Sequence, residues 1–218
     1  MTWMQTAISF SGIFFLCGFL STNLFGCTTM DSNLVLEYKP NLKPMTSSAL
    51  PVFLARVTDR RKDISRIGCK KNGFGGESAN LFFEGHLTDW FSQAMNQELR
   101  RAGLGLVGAK AQGAVRLEVV LMEFFVEPTK SFFGSYEIYA LIQAEVILRF
   151  PDGAGYARRF ATLARDDSII PTDGNYEEVA QKAMSNWIDR AVTDIVRLIE
   201  QKEHRTQTLG AKAAAWSR

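Results

Sequence analysis

Tyr136-Glu-Ile-Tyr-Ala-Leu-Ile-Gln-Ala-Glu-Val-Ile-Leu-Arg-Phe150 is the stretch whose reading decides the fold. Along an extended chain Tyr136, Ile138, Ala140, Ile142, Ala144, Val146, Leu148 and Phe150 fall on one face, and Glu137, Gln143, Glu145 and Arg149 on the other. Such alternation marks a long strand with one face in a core. Tyr139, Leu141 and Ile147 interrupt the polar face, so part of it is expected to be covered, by an N-terminal strand or by another molecule.

Working outward, Pro151-Asp-Gly-Ala-Gly155 carries turn residues, and Tyr156 to Arg165 is expected to return as a hairpin partner. On the N-terminal side, Ala114 to Phe124 reads as a strand that reaches the long one through a turn around Pro128. Two helices flank this meander. Leu87 to Ala102 places Leu87, Trp90, Phe91, Ala94, Met95 and Leu99 on one stripe, and Gly103 follows where a left-handed C-terminal cap is expected. Tyr176 to about Ile199 carries a broader stripe that includes Val179, Ala183, Trp187, Ala191 and Ile195, with Asn175 as its expected cap and Glu177 and Glu178 suited to its positive end.

Val52 to Val57 supplies a further strand, Leu34-Val-Leu-Glu-Tyr38 a short edge strand, and Thr58 to about His86 a long loop. The order strand, helix, three-strand meander, helix implies an α+β, two-layer sandwich. Its mixed or antiparallel sheet would have about four to five strands, with both helices on one face. After Glu203 the stripe ends, and residues 202–218 are expected to be a disordered tail.

The N-terminus tells where the chain works. An apolar run from Ile8 ends in Leu24-Phe25-Gly26-Cys27, which resembles the lipobox of bacterial lipoproteins, where the cysteine is lipidated and the preceding peptide removed. Residues 1–26 are therefore expected to be a signal peptide, Cys27 the lipid-bearing residue and 27–50 a tether, with residues 51–201 forming one periplasmic domain. An uncleaved N-terminal anchor in the inner membrane is the alternative, because the run approaches the roughly 20 residues that span a bilayer. Thr28, in place of the Asp that resembles an inner-membrane retention signal, points to the periplasmic face of the outer membrane.

Composition narrows the function classes. With 46% hydrophobic and 22% charged residues the chain can bury a real core, and a net charge of +2 gives no bulk attraction to nucleic acid. Once Cys17 leaves with the signal and Cys27 is lipidated, Cys69 is the one thiol left. No internal disulfide can form, and a shielded thiol is the economical account of Cys69.

A hydrolase needs a base beside a nucleophile. The chain has only His86, at a helix start, and His204, in the expected tail; Gly-x-Ser-x-Gly is absent, and the acids of Asp166-Asp167 and Glu177-Glu178 diverge as neighbours. No enzymatic activity, no metal and no cofactor beyond the covalent lipid are expected. The unusual stretch is Asp59 to Gly76, where Asp59, Arg60, Arg61, Lys70, Lys71 and Asn72 interleave with glycines as a candidate anion- or partner-binding loop without P-loop spacing. Phe132 and Phe133 are a candidate apolar contact, whereas Leu81-Phe82-Phe83 is expected to pack inward.

Val57-Thr-Asp-Arg60, Ile67-Gly68, Lys71-Asn-Gly-Phe-Gly75, Trp90 and Glu98-Leu-Arg-Arg-Ala-Gly103, with Leu34 to Tyr38 ahead of them, resemble the YajG-like family of bacterial lipoproteins. That resemblance implies an envelope lipoprotein without an assigned activity, and it carries no catalytic residues across. In element order the chain is also similar to the N-terminal region of TolB, to lipoproteins that activate peptidoglycan synthases, and to auxiliary lipoproteins of lipid-transport systems. The expectation is a non-enzymatic adaptor whose partner is an envelope protein or peptidoglycan. The alternative is an accessory in lipid or small-molecule transport.

Overall fold

The computed structural model describes residues 30–46, 48, 50–109, 111–130 and 134–216. Its elements are β1 (Ser32–Leu34), β2 (Val52–Asp59), β3 (Gly68–Lys71), β4 (Glu77–Phe83), α1 (Leu87–Arg101), β5 (Val115–Lys130), β6 (Tyr136–Arg149), β7 (Gly155–Ser168) and α2 (Asp173–Trp216). The strands form one mixed sheet in the order β1-β4-β3-β5-β6-β7, and β2 pairs in parallel with the first half of β5.

The long strand behaves as its alternation demands. Ile138, Ala140, Ile142, Ala144, Val146 and Leu148 are all buried, and β6 is paired along its length with β5 and β7. Both helices cover that buried face. Trp187 of α2 sits edge-on between Phe91 of α1 at 5.8 Å and Phe160 of β7 at 6.3 Å, and its indole donates to the Phe160 carbonyl at 3.1 Å. Burying a ring system of this size together with its one donor ties three elements into a single core.

Five expectations need correction. The sheet has seven strands because Thr58 to His86 is not one loop: β3 and β4 form a hairpin inside it, joined on the outside by β1. Gly68 lets β3 approach β5, since a Cβ there would stand 2.0 Å from the Val126 carbonyl oxygen. Next, β5 does not turn at Pro128 but runs to Lys130; Pro128 lies past Val126, the last residue paired with β3, where a missing N–H is tolerated.

Asn175 is not the cap of α2 but sits inside it and reaches back, accepting from the Thr172 N–H and hydroxyl at 2.9 and 2.8 Å. The helix also continues to Trp216, past the end of its apolar stripe, in a stretch whose Ala211 and Ala213 to Ala215 are strong helix formers.

Finally, the stretch from Met30 to Thr46, part of the expected tether, is a strap laid across the helices. Leu34 and Leu36 are buried, Trp90 Nε1 donates to the Leu36 carbonyl at 2.6 Å, and Met45 and Thr46 both donate to the Ala102 carbonyl. Gly103 takes the positive φ expected of a cap, and the Leu104 N–H closes the helix onto the Leu99 carbonyl.

Candidate functional site

The face of the sheet opposite the helices is the candidate site. The register places Phe125, Leu141 and Leu163 side by side on β5, β6 and β7. This apolar row crosses three strands; Phe125 and Leu141 are half-buried and Leu163 is 44% exposed. Neighbouring rows are charged. Glu127, Tyr139 and Arg165 form the next one, with Arg165 bridging to Glu137 at 3.1 Å. Lower on the face Arg56 and Arg116 converge on Glu118 at 2.8 and 3.1 Å, and the Arg56 hydrogen bond leads in holding that buried carboxyl below its usual range.

Beside this row lies the loop between β2 and β3. Arg66 is clamped by Asp63, Glu77 and Asn80 at 3.0, 2.8 and 3.0 Å, and it stacks over the Phe125 ring at 5.8 Å. Hydrogen bonds from Ser65 and Arg66 keep Asp63 ionised well below the usual carboxylate range. The row and the clamped arginine form one surface, apolar at its centre and ion-paired around it, which suits recognition of a protein surface.

The structure does not gather the basic residues of Asp59 to Gly76 into one nest. Arg61 is buried and braces the loop, bonding Asp59 and the Arg66 carbonyl at 2.9 Å each. Lys70 points to the helix side, where it meets Ser32 Oγ at 2.6 Å and Asp173 at 2.8 Å. Lys71 pairs with Glu127, Asn72 shapes the β3–β4 turn by accepting from Phe74 and Gly76, and Arg60 is exposed. Phe132, Phe133 and Cys27 lie outside the described residues.

His86 is the N-cap of α1 without a side-chain cap bond, and His204 is an exposed residue of α2. Leu81 is buried, whereas Phe82 and Phe83 are half-buried, Phe83 standing edge-on to Trp90. Cys69 is buried, and its thiol is pushed up to about 11, first by burial and then by Glu77 and Glu127.

Two buried acids were missed in the sequence although a signal was there: each occupies a stripe position of its helix. Glu98 is fully buried and accepts from the backbone N–H groups of Asn41 and Leu42, fastening the strap to α1. Asp194 is bonded by Tyr156, Arg158 and Arg197, tying α2 to β7.

No family model matches the chain, and no curated protein matches it. Among solved structures, protein XCC0632 of Xanthomonas campestris, of the DUF330 family model, matches over 80% of this chain and 99% of its own, at 13% identity and a TM-score of 0.54. The two share a fold. A minor lipoprotein of Acinetobacter baumannii is similar over 73% of this chain and 96% of its own (11% identity, TM-score 0.39). Rare lipoprotein B of Shewanella oneidensis is similar over 69% of this chain and 98% of its own (15% identity, TM-score 0.36). Among the described residues no helix is long and apolar enough to cross a membrane.

Proposed function

We propose that this chain is a lipoprotein of the YajG-like kind, anchored through lipid on Cys27 at the periplasmic face of the outer membrane. There it acts without catalysis, holding another envelope protein against the open face of its sheet. The observation that carries the binding role is the row Phe125, Leu141 and Leu163, on a face that neither helix covers. A strand pair needs only one buried face for its stability, so apolar side chains on the second face call for a separate reason, and a partner supplies one. The anchoring reading rests on Leu24-Phe25-Gly26-Cys27.

The transport reading needs room for an acyl chain between helices and sheet. That space is filled by Phe91, Met95, Met184 and Trp187, each at 0% exposure, which favours the adaptor.

Photo-cross-linking in cells from probes at Leu141, Leu163 and Arg60 of the full-length protein tests the proposal. One dominant protein adduct from the sheet face, absent from a probe at Asp152, is the expected result. Lipid adducts alone, or equal adducts from Asp152, would overturn it.

A further inference from the structure

Four of the large side chains that the described residues leave most exposed lie together at one end of the sheet. Met30 is 80% exposed, Phe74 98%, Ile169 79% and Ile170 71%. The register fixes their common position. Lys71, at the top of β3, faces Glu77 across the hairpin turn that carries Phe74, and Lys130 at the end of β5 donates to the Gly73 carbonyl of that turn at 2.9 Å. Lys130 is level with Tyr136, and Tyr136 with Ser168, directly before Ile169 and Ile170. Met30 precedes β1 at the same level, its carbonyl 3.3 Å from Lys70 Nζ. A row of exposed apolar groups thus runs along one end, from the chain's entry into the sheet to the start of α2.

These side chains are not loose. Asn72 accepts from the Phe74 and Gly76 N–H groups at 3.0 Å each and its own carbonyl accepts from Gly75, a closed turn that presents Phe74 to solvent. Ser168 Oγ donates to the Ile170 carbonyl at 2.9 Å, shaping the second projection. Lys70 is engaged with Asp173 and Lys71 with Glu127, whereas Asp166 and Asp167 of β7 stand exposed just before Ile169 and Ile170 and must stay at the hydrated edge of the patch.

We infer that this end of the sheet docks on the lipid bilayer, with Met30, Phe74, Ile169 and Ile170 inserted into the headgroup and upper acyl region. The inference rests on the anchoring of Cys27 proposed above, and chain length selects the occupant. Only Thr28 and Thr29 separate Cys27 from Met30, three chain steps with a reach of at most about 11 Å. Because Met30 leads directly into the bonded strap, a lipid on Cys27 brings this end, and no other, against the membrane. Apolar side chains held there gain by entering the interface. Lys130, exposed among them, suits the phosphate oxygens of lipid headgroups. The sheet then stands upright, its open face turned sideways to the periplasm. The turn between β6 and β7 lies at the far end of a strand roughly 50 Å long.

The test uses the full-length protein, expressed with its own signal and reconstituted into vesicles of phosphatidylethanolamine and phosphatidylglycerol. Single variants Phe74→Cys, Ile170→Cys and Asp152→Cys carry an environment-sensitive fluorophore, and mass spectrometry of the N-terminal peptide reports the state of Cys27. The expected result is a blue shift at positions 74 and 170 with quenching by nitroxide-bearing lipids, and neither at 152. Labels at 74 and 170 that remain in water overturn the docking, whether or not Cys27 is lipidated. A blue shift that lipid quenchers do not reach also overturns it, showing a second protein copy in the lipid's place. Where Cys27 proves unmodified, the labelling is repeated with Cys17 and Cys27 replaced by serine, and labels at 74 and 170 that are still quenched uphold the docking while refuting lipidation of Cys27.

Discussion

Replacing Gly103 by alanine isolates one of the contacts that hold the strap to α1, its close approach to Thr46. Gly103 has a φ of 98°, and a Cβ there would stand 1.9 Å from the Thr46 carbonyl oxygen. Two costs follow. The left-handed conformation costs an L-residue about 1–2 kcal/mol. Relieving the overlap means moving strap backbone whose Met45 and Thr46 N–H groups are bonded to Ala102, a forced shift of the kind that costs about 1–3 kcal/mol. The sum, about 2–5 kcal/mol, corresponds to a fall of roughly 4–20 °C in Tm for a domain of this size. Gly153 is the control: its φ is 84° and nothing lies within 4 Å of the position a Cβ would take. Gly153→Ala therefore carries the conformational cost alone, roughly 2–8 °C. Urea and thermal unfolding followed by circular dichroism measure both variants. Equal losses would refute the argument, showing that the strap yields at Thr46 without cost.

Three further predictions follow from the core. Trp187→Ala empties the junction of α1, α2 and β7 and should cost about 3–5 kcal/mol by chemical denaturation. Burial, then the neighbouring Glu98, raises the pKa of Asp189, while Asn41 opposes the shift by donating to it. The folded state thus binds that proton more tightly than the unfolded one, so stability is fullest below the ordinary carboxylate range and is lost as pH rises through the raised value. Asp189→Asn should remove that loss, raising Tm at pH 7 more than at pH 3; Tyr38, Glu98 and Arg101 are the other ionisable groups facing the site. Cys69 should resist iodoacetamide at pH 8 in the native protein and react once unfolded, as read by mass spectrometry, because burial keeps its thiol protonated to about 11.

The alternation of Tyr136 to Phe150 and the stripes through Phe91 and Trp187 determined, by themselves, the meander, both helices and the face on which they meet. Periodicity reports such elements because each must turn one apolar side toward a core. Gly103 likewise announced the end of α1, since a positive φ selects glycine by local sterics alone. What remained hidden depends on partners distant in the chain. Gly68 to Lys71 lacks alternation, and it is a strand only because β4 and β5 supply hydrogen bonds on either side. Lys70 and Lys71 read as part of a shared basic patch, yet tertiary structure sends them to Asp173 and Glu127, because a charge near a core is stable only beside its counter-charge. The strap from Met30 onward had the composition of a spacer. Glu98, 56 residues beyond Leu42, fixes it to α1, and no local rule carries that distance.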